Sequence, residues 1–248
     1  MTHRPAIVAH RGASAVRPEN TMAAFEHAIA LGTDAIEFDV HATADGALIV
    51  VHDDMLDRTT TGTGPPFARD LAYVRSLDAG SWFDDRYASE LVPTLDEVLS
   101  LADVEFELEL KASGLQYLSD VLQTVRAHGA LERTEFTSWN LPMLLALKNT
   151  SPAARVGLFS QRRGGWMTDA VYERSVTAPL PFGRFDVVHA FAGTITESLV
   201  DRVHALGLVA TANDAADAAE ISGALRSGTD RISSSDIELI RSLVDRAV

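Results

Sequence analysis

The chain has 248 residues, of which 46% are hydrophobic and 23% charged, an ordinary balance for a globular protein large enough to bury its own core. It has no cysteine, which excludes disulfides, zinc–thiolate sites and thiol nucleophiles. Its 35 acidic residues outnumber its 21 basic ones, for a net charge of −14. This charge argues against a nucleic-acid binder, because such proteins present a basic face to the phosphates.

The sequence shows no targeting or membrane signal. The apolar run at residues 6–9 is too short for the core of a signal peptide, and no run of 18 apolar residues occurs. We therefore expect no membrane span and, by default, a cytoplasmic protein. A chain of this length is expected to form one or two domains, and an α/β barrel can use all of it in one.

Short apolar runs alternate along the chain with stretches of helical periodicity, a pattern typical of a parallel α/β sheet. The predicted strands are 5–9, 34–39, 47–51, 104–110, 134–138, 153–159, 185–189, 207–211 and 230–234. The predicted helices are 20–32, 94–102, 115–129, 141–149, 166–176, 196–206, 213–226 and 236–247. Asn20, Thr94 and Asn213 precede good helix formers and are the predicted N-caps.

Nine strands become eight once the second and third are considered together. Only residues 40–46 separate 34–39 from 47–51, and a parallel crossover needs a dozen or more residues. Asp45-Gly46 between apolar runs instead favours a hairpin. Removing its second arm leaves eight strands and predicts a (β/α)8 TIM barrel. A doubly wound sheet is the alternative, but the turn after the first strand holds only Gly12 and lacks the GxGxxG spacing.

Carboxylates collect at the ends of the predicted strands, where barrel enzymes place their active sites. Glu37 and Asp39 lie two apart at the end of one strand, and Glu109 ends the next barrel strand. Alternation puts Glu37 and Asp39 on the same face, so all three side chains are expected to converge at the barrel mouth. Like charges brought together there need neutralising, and oxygen ligands suit Mg²⁺, Ca²⁺ or Mn²⁺. The alternative is that each is a solvated loop residue.

Two of the eight histidines, His10 and His52, coincide with other polar groups at strand ends. With a two-residue Asp45-Gly46 turn, Asp39 would face His52 across the hairpin, with Cβ atoms about 4.5–5.5 Å apart. His10 and His52 are therefore candidates for a general acid/base pair. A slip of one residue in the hairpin would send His52 to the other face.

Two basic residues adjoin the proposed ligands. Arg11 follows His10 directly, and Lys111 lies two residues beyond Glu109. Cations beside a metal–carboxylate cluster suit a phosphate, whose charge they share with the metal. The alternative is that Lys111 only pairs with Glu37 or Asp39.

The motifs resemble those of the glycerophosphodiester phosphodiesterase family. They run in order through residues 6–111, and an ordered set is far more specific than any single motif. The matching segments are His10-Arg11-Gly12, Pro18-Glu19-Asn20-Thr21, Glu37-Phe38-Asp39-Val40, Val51-His52-Asp53, Asp57-Arg58-Thr59-Thr60, Asp78-Ala79-Gly80-Ser81-Trp82-Phe83, Val92-Pro93-Thr94-Leu95-Asp96-Glu97 and Glu109-Leu110-Lys111.

The C-terminal half is less similar to the family. Thr137-Ser138-Trp139-Asn140 resembles a serine–aromatic motif, which makes Trp139 a candidate for the substrate pocket. Ala210 stands where the family usually has tryptophan, and Ser234-Ser235 where it has threonine–aspartate. These departures concern the substrate headgroup pocket, which would lack one aromatic wall.

The resemblance implies a single TIM-barrel domain over residues 1–248 with a small insertion at about 53–93. It implies hydrolysis of small glycerophosphodiesters to sn-glycerol 3-phosphate and an alcohol, dependent on Mg²⁺ or Ca²⁺. By this resemblance the metal ligands are Glu37, Asp39 and Glu109, the acid/base pair is His10 and His52, and the phosphate is bound by Arg11 and Lys111.

Two other functions remain open from the sequence, as does the oligomeric state. One is a lysophospholipase D-like activity, for which Trp82, Phe83 and Tyr87 of the insertion could line an acyl-chain entry. The other is a non-catalytic barrel that binds a metal or a phosphate, although both histidines are present.

Overall fold

The computed structural model describes residues 4–101 and 104–247. Eight parallel strands form a closed barrel, because the first strand pairs with both the second and the last strand of the chain. This confirms the predicted (β/α)8 fold. The strands are β1 (Ala6–Ala9), β2 (Ala35–Ala42), β4 (Glu105–Leu110), β5 (Thr134–Ser138), β6 (Arg155–Phe159), β7 (Val187–Phe191), β8 (Val209–Asn213) and β9 (Arg231–Ser234), with β3 (Leu48–Val50) outside the barrel.

The predicted hairpin is present, but its register differs by one residue. β3 runs antiparallel to β2 and pairs Val40 with Val50, so its turn has three residues instead of two. The amide of Thr43 donates to the carbonyl of Ala47 at 2.9 Å, and Gly46 has a φ of 83°. This is the three-residue hairpin loop that places glycine in the left-handed region. The expected pairing of Asp39 with His52 is therefore wrong.

Helices cover the outside of the barrel and are mostly shorter than predicted. They are α1 (Met22–Ala30), α2 (Leu71–Val74), α3 (Leu95–Leu99), α4 (Leu115–Ala127), α5 (Leu141–Thr150), α6 (Asp169–Thr177), α7 (Glu197–Ala205), α8 (Ala218–Ser227) and α9 (Ile237–Ala247). Thr94 caps α3 as predicted, in a capping box with Glu97. The predictions for Asn20 and Asn213 are wrong, because Thr21 caps α1 and Asp217 caps α8.

The segment 53–93 carries a small apolar cluster of its own, separate from the main core. The residues of this cluster include Leu56, Val74, Leu77 and Val92, which pack on Ile49 of β3. The segment 53–93 is thus attached to the barrel through its packing on the hairpin strand β3. Every helix among the described residues is too short or too polar to cross a bilayer. The single-domain assignment and the cytoplasmic location stay predictions.

The barrel interior holds a layer of buried charged side chains where most barrels hold aliphatic ones. Glu135 on β5 accepts hydrogen bonds from His189 and Arg231, and Glu107 on β4 lies 3.5 Å from Nδ1 of His189. The facing residue on β6 is Gly157, whose missing side chain makes room for this layer. We call these four charged residues the buried charge layer.

Candidate active site

A cavity of about 250 Å³ opens at the carboxyl ends of the barrel strands. This is the end at which barrel enzymes bind their substrates. Six of the twelve lining residues were singled out in the sequence as site candidates. The lining consists of His10, Arg11, Glu37, His52, Glu107, Glu109, Trp139, Phe159, Arg162, Phe191, Asn213 and Asp214.

The predicted metal ligands Glu37, Asp39 and Glu109 come together. One carboxylate oxygen of each lies within 4.8 Å of the other two, and all three residues are buried. Strand alternation turns Glu37 and Asp39 into the barrel, and the parallel register places Asp39 directly beside Glu109. Three closely spaced carboxylates are the donor set that a hard divalent cation takes, so these residues fit the predicted metal.

Burial and mutual repulsion perturb the ionisation of this cluster. Burial, with Asp39 adding to it, raises the pKa of Glu37 well above its ordinary value and that of Glu109 to about 7. Burial would raise the pKa of Asp39 as well, but Lys111 and Arg11 outweigh it and hold that pKa at about 2. Repulsion among the three carboxylates therefore disfavours their full ionisation, and a bound divalent cation would offset this repulsion.

The two predicted phosphate ligands reach the cluster from different sides. Nζ of Lys111 lies 2.9 Å from Glu109 and 3.2 Å from Asp39, behind the cavity lining. Arg11 lines the cavity, and its backbone amide donates to Glu37 at 2.9 Å. Of these two pairs, the one with Asp39 is the alternative interpretation that the sequence offered, whereas the one with Glu109 was not expected. These pairs place its positive charge within the cluster, and only Arg11 of the two faces the cavity.

His52 lines the cavity although the register of the hairpin excludes the predicted pairing. Strand β3 ends at Val50, and the amide of Val51 donates to the carbonyl of Asp39 at 3.0 Å. The chain leaves the strand geometry after this bond, so alternation no longer decides where His52 points. Its Nδ1 lies 2.7 Å from the carboxylate of Asp53.

His10 lies across the cavity at the end of β1. Its Nδ1 is 3.3 Å from the hydroxyl of Ser235 and 3.8 Å from the carboxylate of Asp214. Burial, and next the charge of Arg11, lower the pKa of His10 to about 4. Its imidazole is therefore neutral at physiological pH and able to accept a proton. One of the two serines that depart from the family pattern thus contacts a candidate catalytic residue.

An aromatic wall closes the side of the cavity away from the carboxylates. Trp139 stacks on Phe159, with ring centroids 5.0 Å apart, and on Phe191 at 6.3 Å. The guanidinium of Arg162 covers the ring of Phe191 at 3.9 Å. Ala210 packs in the main apolar core and does not line the cavity. The expected loss of one aromatic wall at this position stays a prediction.

Sequence reasoning missed the half of the cavity that β6, β7 and β8 build. Phe159 and Phe191 end strands β6 and β7, but the prediction ended the second of these strands at residue 189. Asp214 follows β8, where an asparagine cap was predicted instead. These residues carry no local pattern beyond apolar strand ends, so only the position of the strand end could have pointed to them.

Comparison with known proteins gives one family. The model of the glycerophosphoryl diester phosphodiesterase family matches residues 10–238. A glycerophosphodiester phosphodiesterase of Caldanaerobacter subterraneus is 39% identical over 163 residues, 62% of this chain and 66% of that protein. One of Bacillus subtilis is 48% identical over 100 residues, 37% of this chain and 34% of that protein. The aligned segments thus span less than two thirds of each of these relatives.

Two solved structures cover nearly the whole chain. A phosphodiesterase of Oleispira antarctica, in complex with the product sn-glycerol-3-phosphate, has a TM-score of 0.86 and 28% identity, covering 97% of both chains. A glycerophosphodiester phosphodiesterase of Agrobacterium tumefaciens has a TM-score of 0.80 and 29% identity, covering 96% of this chain and 99% of that one.

Proposed function

Because the chain belongs to the glycerophosphoryl diester phosphodiesterase family, we propose that it hydrolyses glycerophosphodiesters to sn-glycerol 3-phosphate and an alcohol. The observation that carries this proposal is the carboxylate cluster of Glu37, Asp39 and Glu109, because two of its members, Glu37 and Glu109, line the cavity together with His10 and His52. The product complex of the Oleispira antarctica phosphodiesterase supports the same class of small substrate.

Glu37, Asp39 and Glu109 would hold a divalent cation, Mg²⁺ or Ca²⁺ and also Mn²⁺ by the chemistry of the donors. When bound, such a cation withdraws charge from a phosphate oxygen and makes the phosphorus more electrophilic. Arg11 faces the same cavity and supplies a fixed positive charge for the phosphate. Lys111 adds positive charge from behind the ligands and offsets part of their repulsion.

His10 and His52 provide the proton transfers. Hydrolysis of a phosphodiester needs one group that takes a proton from the attacking oxygen and one that gives a proton to the leaving alcohol. The low pKa of His10 keeps its imidazole unprotonated at neutral pH, so the ring can accept a proton. Asp53 accepts from Nδ1 of His52, which leaves Nε2 for a group in the cavity. We assign the two histidines to these transfers as a pair.

A lysophospholipase D-like activity is the second candidate, and one observation favours it. An apolar groove adjoins the cavity and shares Trp139 and Phe159 with it. The predicted acyl entry through the insertion has no such support, because Trp82, Phe83 and Tyr87 pack edge to face on one another and do not line the cavity.

The test is hydrolysis of glycerophosphocholine and lysophosphatidylcholine in parallel, after chelation and after adding back Mg²⁺, Ca²⁺ or Mn²⁺. We expect metal-dependent release of sn-glycerol 3-phosphate from glycerophosphocholine. His10→Ala and His52→Ala should each abolish it and still unfold cooperatively, whereas His128→Ala, at a surface pair with Asp96, should retain it. Absence of hydrolysis of both substrates with every metal would overturn both enzymatic candidates, and wild-type turnover in either cavity variant would refute that residue's role.

A further inference from the structure

The segment after β3 is tied to the loop after β1 by a continuous series of ion pairs beside the cavity. It begins at Nδ1 of His52, 2.7 Å from Asp53. Arg58 contacts Asp53 and Glu19, each at 2.7 Å. Glu19 in turn lies 2.9 Å from Arg11, which lines the cavity opposite. We call Glu19, Asp53 and Arg58 the arginine bridge, and none of the three is a metal ligand or an acid/base residue of the proposed reaction.

Arg58 uses its whole guanidinium in this bridge. Nε and one Nη donate to the two oxygens of Asp53 at 2.7 and 2.9 Å, and both Nη donate to the two oxygens of Glu19 at 2.7 and 2.8 Å. Hydrogen bonding from Arg58 holds the pKa of Asp53 far below its usual range. A planar fork with this many donors cannot be reproduced by a lysine ammonium, which acts as a point charge.

The bridge determines how two cavity residues can move. Arg58 holds Asp53, so the carboxylate that accepts from Nδ1 of His52 cannot turn freely. The other ring nitrogen of His52, Nε2, is left for a group in the cavity. Glu19 is held by the same guanidinium and holds Arg11 through Nη1 at 2.9 Å. The backbone amide of Arg11 donates to the metal-ligand candidate Glu37. One side chain of the insertion therefore orients groups on both sides of the cavity.

We propose that Asp53, Arg58 and Glu19 are positioning residues, which fix the tautomer of His52 and the orientation of Arg11 for the reaction proposed above. In this view the insertion is docked on the barrel for catalysis as well as for packing. The catalytic half of the inference depends on the proposed function, whereas the effect on His52 does not.

The kinetic test compares Arg58→Lys with a matched control in the same segment. We expect Arg58→Lys to lower kcat by about 10–100-fold with little change in KM, the loss typical of residues that orient a ligand or an acid/base group. Arg75→Lys is the control, since Arg75 makes a similar fork on Glu97 at 2.8 Å, and this pair does not reach the cavity. Asp53→Asn keeps the shape of the side chain and serves as a second variant should Arg58→Lys fold poorly.

The spectroscopic test needs no turnover. Nitrogen-15 NMR of the imidazoles, with His52 assigned from the spectrum of His52→Gln, reports which ring nitrogen carries the proton. In the neutral imidazole of His52 in the wild type, we expect the proton on Nδ1. In Arg58→Lys and Asp53→Asn we expect a mixture of tautomers, and in Arg75→Lys the wild-type spectrum.

The outcomes distinguish the effect of the bridge on His52 from its relevance to catalysis. A wild-type His52 spectrum in both bridge variants overturns the positioning role, whatever the activity. A changed spectrum with unchanged kcat, or an equal loss of kcat in Arg75→Lys, overturns its catalytic relevance. If neither glycerophosphocholine nor lysophosphatidylcholine is hydrolysed, the proposed function fails and the spectra alone decide the effect on His52.

Discussion

Gly157→Ala should destabilise the barrel more than a single methyl group usually does. A Cβ at this position on β6 would lie 2.4 Å from Oε1 of Glu135 and 2.6 Å from Nε2 of His189. These two atoms are themselves 2.5 Å apart and fully buried, so the methyl group would enter between the partners of a buried ion pair. Real Cβ atoms do not approach other atoms so closely, and the pair must separate.

The size of the loss follows from two known costs. Overpacking a core costs about 1–3 kcal/mol, and disrupting a buried ion pair costs about 3–5 kcal/mol. Because the pair would be displaced and not removed, we expect a loss of about 3 kcal/mol in the free energy of unfolding. For a domain of 150–250 residues, this corresponds to a fall in Tm of about 6–12 °C.

Gly223→Ala is the matched control. Gly223 lies inside α8, and the nearest atom to its added Cβ is Nη2 of Arg226 at 3.9 Å. Alanine in a helix interior is favoured over glycine by up to about 1 kcal/mol, so this variant should be as stable as the wild type or more so. Urea unfolding followed by circular dichroism gives both free energies. If Gly157→Ala is as stable as the wild type, the buried charge layer adapts without cost and the reasoning is refuted.

Two further predictions concern single charged groups. Glu109→Gln should weaken Mn²⁺ binding by more than about tenfold in calorimetry, because it removes a charged ligand. Glu105→Gln, at the exposed start of the same strand, should leave the affinity unchanged. Equal affinities of the two variants would contradict the ligand assignment. Burial would lower the pKa of His189, but the carboxylates of Glu107 and Glu135 outweigh it and raise this pKa above 6.5. The contribution of His189 to the free energy of unfolding is therefore complete below pH 6.5, and it is lost as the pH rises through the raised pKa. The free energy of unfolding should therefore fall less steeply with rising pH in His189→Gln than in the wild type or His128→Gln, and parallel slopes would show that His189 is not charged in the folded state.

The sequence alone predicted the barrel because its signals are local. Apolar strand periodicity and short connections set the number of parallel strands, and eight of the nine predicted runs close the barrel. Alternation within β2 and β4 also predicted that Glu37, Asp39 and Glu109 share the barrel mouth, since the period of a strand decides which face a side chain takes.

The length of the hairpin turn and the partner of Asn20 were beyond that reasoning. The hairpin turn has three residues because Thr43 accepts, through its hydroxyl, a bond from the amide of Ala47, a choice that Asp45-Gly46 does not reveal. Asn20 is not a helix cap, because its amide donates to Asp39 at 2.8 Å, nineteen residues further along the chain. In the second case a polar side chain bonds a partner that only the folded chain brings near it.

For a chain with a net charge of −14, the sequence and the tertiary structure again determine different properties. The composition indicates that any anion must be bound by local cations, and the motifs predict that Arg11 and Lys111 are those cations. Only the tertiary structure decided that Lys111 is engaged by Asp39 and Glu109 and that Arg11 is held by Glu19 within the arginine bridge. The periodicity of a strand can be read from neighbouring residues in the sequence. The ion-pair partner of a charged side chain depends instead on which strand ends the closed barrel brings together.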